Sequence, residues 1–238
     1  MHRRGFVTGL ATASLAPLAP PLRAQSRPAP DVGQIITALN ARQRAGQATP
    51  ADWVAQQVTL LPQAQRAPAA FAVVQSVPYR ISRWTGDPDS LFSLGRGDCR
   101  HKAFGQMRLF KALGLRVRHV KTRFDWADLP IPQTALKELK STLGVHDSVA
   151  VQTAQGWTIV DATWDPTLAR LGFPVAPTWD GSSATPPLTR GALQSLFVDE
   201  MPKGSNPYEL LSVPWPIRAR TQAFNRALNR WLAAQTGA

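Results

Sequence analysis

The chain has 238 residues, 44% of them hydrophobic, and a formal net charge of +12. This length and hydrophobic content favour one folded domain and argue against intrinsic disorder. The positive charge is compatible with anionic partners, but solubility is a sufficient explanation for it. Most basic residues are scattered, and no motif interleaves them with aromatic residues. We therefore expect no nucleic-acid partner.

Residues 1–24 have the layout of an export signal. Arg3 and Arg4 precede a short stretch of apolar and small residues, and Ala24 offers a small residue for cleavage. The twin arginine, with Phe6 two residues on, resembles a Tat signal. The apolar stretch is too short to cross a bilayer of about 30 Å. We therefore expect no stable membrane span after cleavage, and a periplasmic or secreted domain over residues 25–238.

Hydrophobic periodicity predicts helices in the first third of the chain and after the cysteine. The predicted helices span residues 31–45, 51–61, 67–77, 99–113, 134–143 and 217–234. Alternating patterns predict strands over residues 115–121, 147–153 and 157–162, and residues 166–187 are expected to be irregular. The sequence therefore predicts an α+β fold, in which an antiparallel sheet packs on the helix that begins at Cys99 and helices extend it at both ends.

The last two predicted strands are expected to form a hairpin through the turn at Gln155 and Gly156. A turn centred between these residues places Ala150 opposite Asp161. His146 then lies about four residues beyond direct pairing with Asp161, so contact between them requires a looser connection or a diagonal approach.

Cys99 is the only cysteine in the chain, and it follows a glycine-bracketed loop at the start of a predicted helix. A single cysteine in an exported protein cannot form an internal disulfide, so its thiol is either buried and inert or reactive. His146 and Asp161 lie at the edges of predicted strands. The three residue types suggest a cysteine–histidine–aspartate triad, with Asp165 and Asp147 as alternatives to Asp161.

A thiol attacks as its thiolate, and a helix N-terminus or a nearby imidazolium favours that form. The developing oxyanion needs hydrogen-bond donors, of which the backbone N–H of Cys99 is the natural first. Gln75, Tyr79 or Trp84 is a candidate for the second. Cys99 and His101 point to different faces of the helix, so we expect no metal site. We also expect no cofactor.

Three blocks of sequence resemble the transglutaminase-like, papain-related superfamily. They are residues 97–115 with Cys99 at the helix start, His146 ahead of residues 149–151, and residues 156–166 with Asp161. Residues 73–80 also resemble the lead-in of the bacterial transglutaminase-like cysteine proteinases. The resemblance implies a papain-like core over about residues 70–168, with Cys99 as nucleophile, His146 as base and Asp161 as its orienting partner.

The resemblance implies acyl transfer through a thioester, by a cysteine peptidase or amidase acting on a protein or peptide substrate, including one of the cell envelope. A protein-glutamine transglutaminase and a catalytically inactive cell-envelope binding module remain alternatives. The sequence departs from those proteinases directly after the cysteine, where Arg100 and His101 replace the usual acidic pair. Arginine cannot bind a hard cation, so no calcium site is expected.

Overall fold

The computed structural model describes residues 30–189, 191 and 194–236. The predicted signal peptide over residues 1–24 lies outside them. The fold is α+β, with helices on both sides of a central four-stranded antiparallel sheet. The helices are α1 (Val32–Arg44), α2 (Ala51–Thr59), α3 (Gln63–Ser76), α4 (Ser90–Leu94), α5 (Cys99–Ala112), α6 (Gln133–Leu136), α7 (Pro207–Leu210) and α8 (Arg218–Thr236).

The sheet is built from β1 (Val117–Asp125), β2 (Leu143–Thr153), β3 (Gly156–Val160) and β4 (Ser195–Phe197). Their spatial order is β3-β2-β1-β4, and every neighbouring pair is antiparallel. The central pair is in a continuous register in which Lys121 lies opposite Asp147 and Thr122 lies opposite His146. Three consecutive polar residues of β2, His146, Asp147 and Ser148, are buried in the sheet.

Two hydrophobic clusters cover the two faces of the sheet. One joins α1, α2, α3 and α5 to the face that carries Val149 and Val160. The other joins Phe124, on the opposite face by strand alternation, to Phe224 and Leu228 of α8. The N-terminus of α5 lies near the second cluster, because Tyr79 of that cluster forms a parallel β-bridge with Gly97.

The structure corrects the predicted boundaries before the hairpin. The helix predicted over residues 134–143 is one turn, α6, and β2 begins at Leu143 rather than at residue 147. The alternating pattern is broken here because His146 and Asp147 are adjacent, polar and both buried. Each has a polar partner that compensates its burial, which a local pattern cannot reveal.

The predicted hairpin is present, but its turn is centred one residue earlier than predicted, which shifts each pairing by two residues. Thr153 pairs with Gly156 and Ala150 pairs with Ile159 rather than with Asp161. Extending this register places Asp161 opposite Ser148, so that His146 is a diagonal neighbour two residues away. The three-residue strand β4 was missed, because three residues carry too little periodicity to be recognised.

Candidate active site

Cys99 is the first residue of α5, and it is half-buried. Asp98 caps the helix, because its carboxylate accepts hydrogen bonds from the backbone N–H groups of Arg100 at 3.1 Å and His101 at 3.3 Å. Gly97 has no room for a side chain, since an added Cβ would lie 2.5 Å from the Cβ of His101. The loop thus brings its backbone close to α5 and presents the thiol at the helix N-terminus.

His146 and Asp161 form a buried hydrogen-bonded pair. Nε2 of His146 lies 2.7 Å from Oδ2 of Asp161, and the two side chains are 3% and 10% exposed. The corrected register explains the contact, because diagonal neighbours on adjacent strands are within reach of long side chains. Asp161 is further fixed by the backbone N–H of Thr163, which donates to Oδ1 at 2.9 Å, and by Thr185, whose Oγ1 accepts from the Asp161 N–H.

The charges at this pair favour an imidazolium. Burial disfavours the charged ring, but the Asp161 carboxylate and the Cys99 side chain outweigh burial and raise the pKa of His146 to about 10. Burial likewise works against the Asp161 carboxylate, but the His146 ring lowers the pKa of Asp161 below its usual value. Because Asp161 binds Nε2, the ring nitrogen left for Cys99 is Nδ1. The structure brings two of the three predicted side chains, His146 and Asp161, into direct contact.

Cys99 opens into a cavity of about 670 Å³ whose walls include Tyr79, Trp84, Arg100 and Phe124. His146 and Asp161 line a separate cavity of about 290 Å³, together with residues 184–187 of the predicted irregular segment and Leu188. Phe124 lies between the two, because it lines the first cavity and its ring packs against His146 with centroids 6.0 Å apart. Cys99 and His146 thus line different cavities, with Phe124 between these cavities.

The candidates for a second oxyanion donor lie in different places. Tyr79 is buried, and burial together with the nearby charge of Cys99 raises the pKa of Tyr79 well above its usual value, which keeps the phenol protonated. Trp84 lines the Cys99 cavity and packs edge-on against His101. Gln75 does not line this cavity: its Nε2 donates to the carbonyl of Ala176 at 2.7 Å.

The alternative carboxylates are engaged elsewhere. Asp165 accepts from the backbone N–H of Tyr79 at 2.7 Å and from Thr167, so it fastens the Tyr79 segment rather than the imidazole. Asp147 is bound by His119 on the neighbouring strand, with 2.7 Å between Nε2 and Oδ1. Of the three aspartates considered from the sequence, Asp161 is the one that contacts His146.

Sequence reasoning missed Lys102, which lies one helical turn after Cys99 and is only 1% exposed. Its Nζ donates to the carbonyls of Val74, Gln75 and Ala162 at 3.0–3.3 Å. Burial lowers the pKa of Lys102 to about 7, although Asp165 and Asp161 oppose the shift. Lys102 thereby ties the residue that follows Asp161 to the helix that carries Cys99. A lysine within a helical pattern gives no signal of such burial.

Comparison with known proteins adds no assignment, because no protein-family model and no curated protein matches this chain. Among the described residues, no group of three or more His, Cys, Asp or Glu side chains is placed to bind a metal ion. Over the same part of the chain, no helix combines the length and the apolar character needed to cross a bilayer.

Proposed function

We propose that the protein is an exported thiol-dependent acyl-transfer enzyme with a papain-like core, which hydrolyses an amide or peptide bond through a cysteine thioester. The observation that carries the proposal is the buried hydrogen bond between Nε2 of His146 and Asp161, together with the raised pKa of His146, to which Cys99 contributes. A helix N-terminus, an imidazole and an orienting carboxylate are the parts that an activated thiol requires.

In the resting state His146 carries a proton, and Cys99 attacks as its thiolate. The pKa of His146, raised to about 10 by its partners in spite of burial, supports the imidazolium at neutral pH. Asp161 keeps the Nε2–H tautomer and orients the ring, so that Nδ1 gives and receives the catalytic proton.

In the acylation step the Cys99 sulfur attacks the carbonyl carbon of the substrate. The carbonyl π electrons move to oxygen, and the backbone N–H of Cys99 and the Tyr79 hydroxyl are the donors we assign to that oxyanion. As the intermediate collapses, the carbon–nitrogen bond breaks, and the Nδ1 proton of His146 passes to the leaving amine. The products are a thioester on Cys99, a neutral His146 and a free amine.

In the deacylation step neutral His146 accepts a proton from water through Nδ1. The water oxygen bonds to the acyl carbon, the carbon–sulfur bond breaks, and the thiolate is released beside the imidazolium. The acid product then loses its proton to solvent. Hydrolysis is the favoured outcome because the Cys99 cavity opens to solvent through exposed residues such as Trp215, which is 60% exposed.

The test is the pH dependence of Cys99 alkylation by iodoacetamide, followed by intact-mass spectrometry of the domain over residues 25–238. We expect rapid labelling at pH 6, far below the value of about 8.5 near which an ordinary thiol ionises. Slow labelling with the profile of a free thiol would contradict the proposal and favour an inactive binding module.

A second assay separates hydrolysis from transfer to amines. The enzyme is incubated with p-nitrophenyl acetate in the presence of a primary amine, and the acyl products are identified by mass spectrometry. We expect acetate as the main product and acetylated Cys99 as the intermediate. An excess of the N-acetylated amine over acetate would contradict hydrolysis and assign a transglutaminase-type transfer.

A further inference from the structure

The Cys99 cavity carries an excess of positive charge. Three cationic side chains line it: Arg100, Lys140 and Arg220. The one acidic residue in its lining is Asp98, whose carboxylate is already bound to the α5 N-terminus and lies 2.8 Å from Nδ1 of His101. Arg100 approaches the buried Asp147 only at 3.8 Å, and its side chain remains 45% exposed.

Another cavity, of about 890 Å³, adjoins the Cys99 cavity along Ile81 and Ser82, which line both. Four arginines line it: Arg80, Arg83, Arg96 and Arg230. Its one acidic residue is Asp87. We call it the arginine cavity.

Arg80 is the half-buried member of the arginine cavity. Its guanidinium donates to the Tyr79 carbonyl and to Oγ1 of Thr236, both at 2.7 Å, so its orientation is fixed. Burial lowers the pKa of Arg80, and the like charge of Arg96 lowers it further against the opposing effect of Asp165. Arg80 and Arg96 line the same cavity, so an anion held there would interact favourably with both guanidinium groups.

We propose that the acyl donor is an acidic peptide, whose reactive carbonyl enters the Cys99 cavity while its carboxylates extend along Ile81 and Ser82 into the arginine cavity. This inference rests on the proposed function and names its substrate class. Arginine forks match carboxylates in a two-pronged geometry. Exposed aromatic and apolar side chains at the cavity mouth, Trp215 and Ile217, suit the uncharged parts of a peptide.

The first test compares two alkylating reagents of nearly equal size, one anionic and one neutral. The Cys99 thiolate displaces iodide from either reagent, forming a carbon–sulfur bond as the carbon–iodine bond breaks; iodoacetate carries a carboxylate and iodoacetamide is neutral. We expect the rate ratio of iodoacetate to iodoacetamide to fall about three- to tenfold in the double variant Lys140→Glu/Arg220→Glu. Added salt should lower the wild-type ratio more than the variant ratio.

The matched control is the double variant Lys137→Glu/Lys203→Glu, which makes the same change in net charge at two exposed residues outside both cavities. We expect its rate ratio to equal that of the wild type. Equal falls in both double variants would overturn the proposal, because net charge alone would then explain the preference. Iodoacetamide labelling by itself tests the thiolate, so a failure of the proposed function is recognised separately from a failure of this charge effect.

The second test measures the protection of Cys99 from iodoacetamide by poly-L-glutamate. We expect protection in the wild type, and its loss in the triple variant Arg83→Glu/Arg96→Glu/Arg230→Glu, which leaves Cys99 and its cavity unchanged. Protection that survives in this variant would overturn the role of the arginine cavity. Protection by polyphosphate but not by poly-L-glutamate would overturn the assignment to a peptide and indicate a phosphate polymer instead.

Discussion

Two histidine–aspartate pairs lie side by side in the sheet and have the same geometry. His146 contacts Asp161 and His119 contacts Asp147, in each case with 2.7 Å between Nε2 and a carboxylate oxygen. His146 and Asp147 are consecutive in β2, so the pairs are expected on opposite faces of the sheet. Distance and residue type do not distinguish a pair that serves a nucleophile from a pair that stabilises the fold.

The partners of the two carboxylates distinguish them. Asp161 has one ion-pair partner among the described residues, the His146 ring at 2.7 Å. Asp147 also receives Nζ of Lys121 at 2.5 Å and has Arg100 at 3.8 Å. In spite of burial, the hydrogen bond with His119 and the charge of Lys121 lower the pKa of Asp147 far below its usual value. A carboxylate with a single imidazole partner can hold the proton on that ring. A carboxylate shared among several basic side chains instead compensates their charge.

Removing each histidine in turn tests the proposed difference between the two pairs. We expect His146→Ala to slow Cys99 alkylation at pH 6 about 10²-fold, because a thiol with a pKa of about 8.5 is less than about 1% ionised at that pH. Hydrolytic activity should fall further, by about 10³-fold, because the proton donor for the leaving amine is also lost. The measurement is the second-order rate constant of iodoacetamide labelling, followed by mass spectrometry.

His119→Ala is the matched control for that variant. It removes an imidazole with the same contact distance to an aspartate, and we expect its labelling rate at pH 6 to stay within about twofold of the wild type, because His119 has no part in the proposed proton transfer. A loss in His119→Ala as large as that in His146→Ala would contradict the division between the two pairs.

Exchanging each carboxylate for an amide separates charge from shape. We expect Asp161→Asn to slow Cys99 labelling at pH 6 about tenfold, because the amide oxygen still accepts from Nε2–H but no longer favours the imidazolium. Asp147→Asn should leave labelling unchanged and instead lower the free energy of unfolding by about 1–3 kcal/mol, since Lys121 and Arg100 lose their anion. Urea denaturation measures the free energy of unfolding. Slow labelling in Asp147→Asn together with unchanged labelling in Asp161→Asn would refute the assignment.

Which parts of this site could be predicted depends on how local their signals are. The position of Cys99 follows from the glycine loop and the Asp98 cap, which are adjacent in sequence. The contact of His146 with Asp161 depends on the hairpin register, and moving the turn centre by one residue changes their separation along the ladder by two. The pairing of His119 with Asp147 depends on the register between β1 and β2, which are joined by a long connection.

Lys102 was beyond sequence reasoning for a different physical reason. Its burial is compensated by three backbone carbonyls from two separate segments, and backbone acceptors carry no sequence signature. The sequence therefore holds no motif that reveals this buried amine. Lys102 and His146 make opposite contributions to the pH dependence of stability between about pH 7 and 10.

The smallest expected effect, and the one most specific to the site, is the change in the free energy of unfolding between about pH 7 and pH 10. The folded-state pKa of His146, about 10, is above the ordinary value of 6.5. The stabilisation by protonated His146 is therefore fully present below pH 6.5 and is lost as pH rises through 10. The folded-state pKa of Lys102, about 7, is below the ordinary value of 10.5. The unfolded chain thus binds the extra proton above pH 7, and stability gains as pH rises.

These opposing slopes cancel in part in the wild type, and single variants separate them. We expect the free energy of unfolding to rise from pH 7 to 10 in His146→Ala, where only the Lys102 effect remains, and to fall over the same range in Lys102→Met. Urea titrations at four pH values measure both slopes, and slopes of equal sign in the two variants would contradict the assigned charges. The slope tests protonation rather than folding alone, since a merely destabilised variant shifts the whole curve without changing its direction.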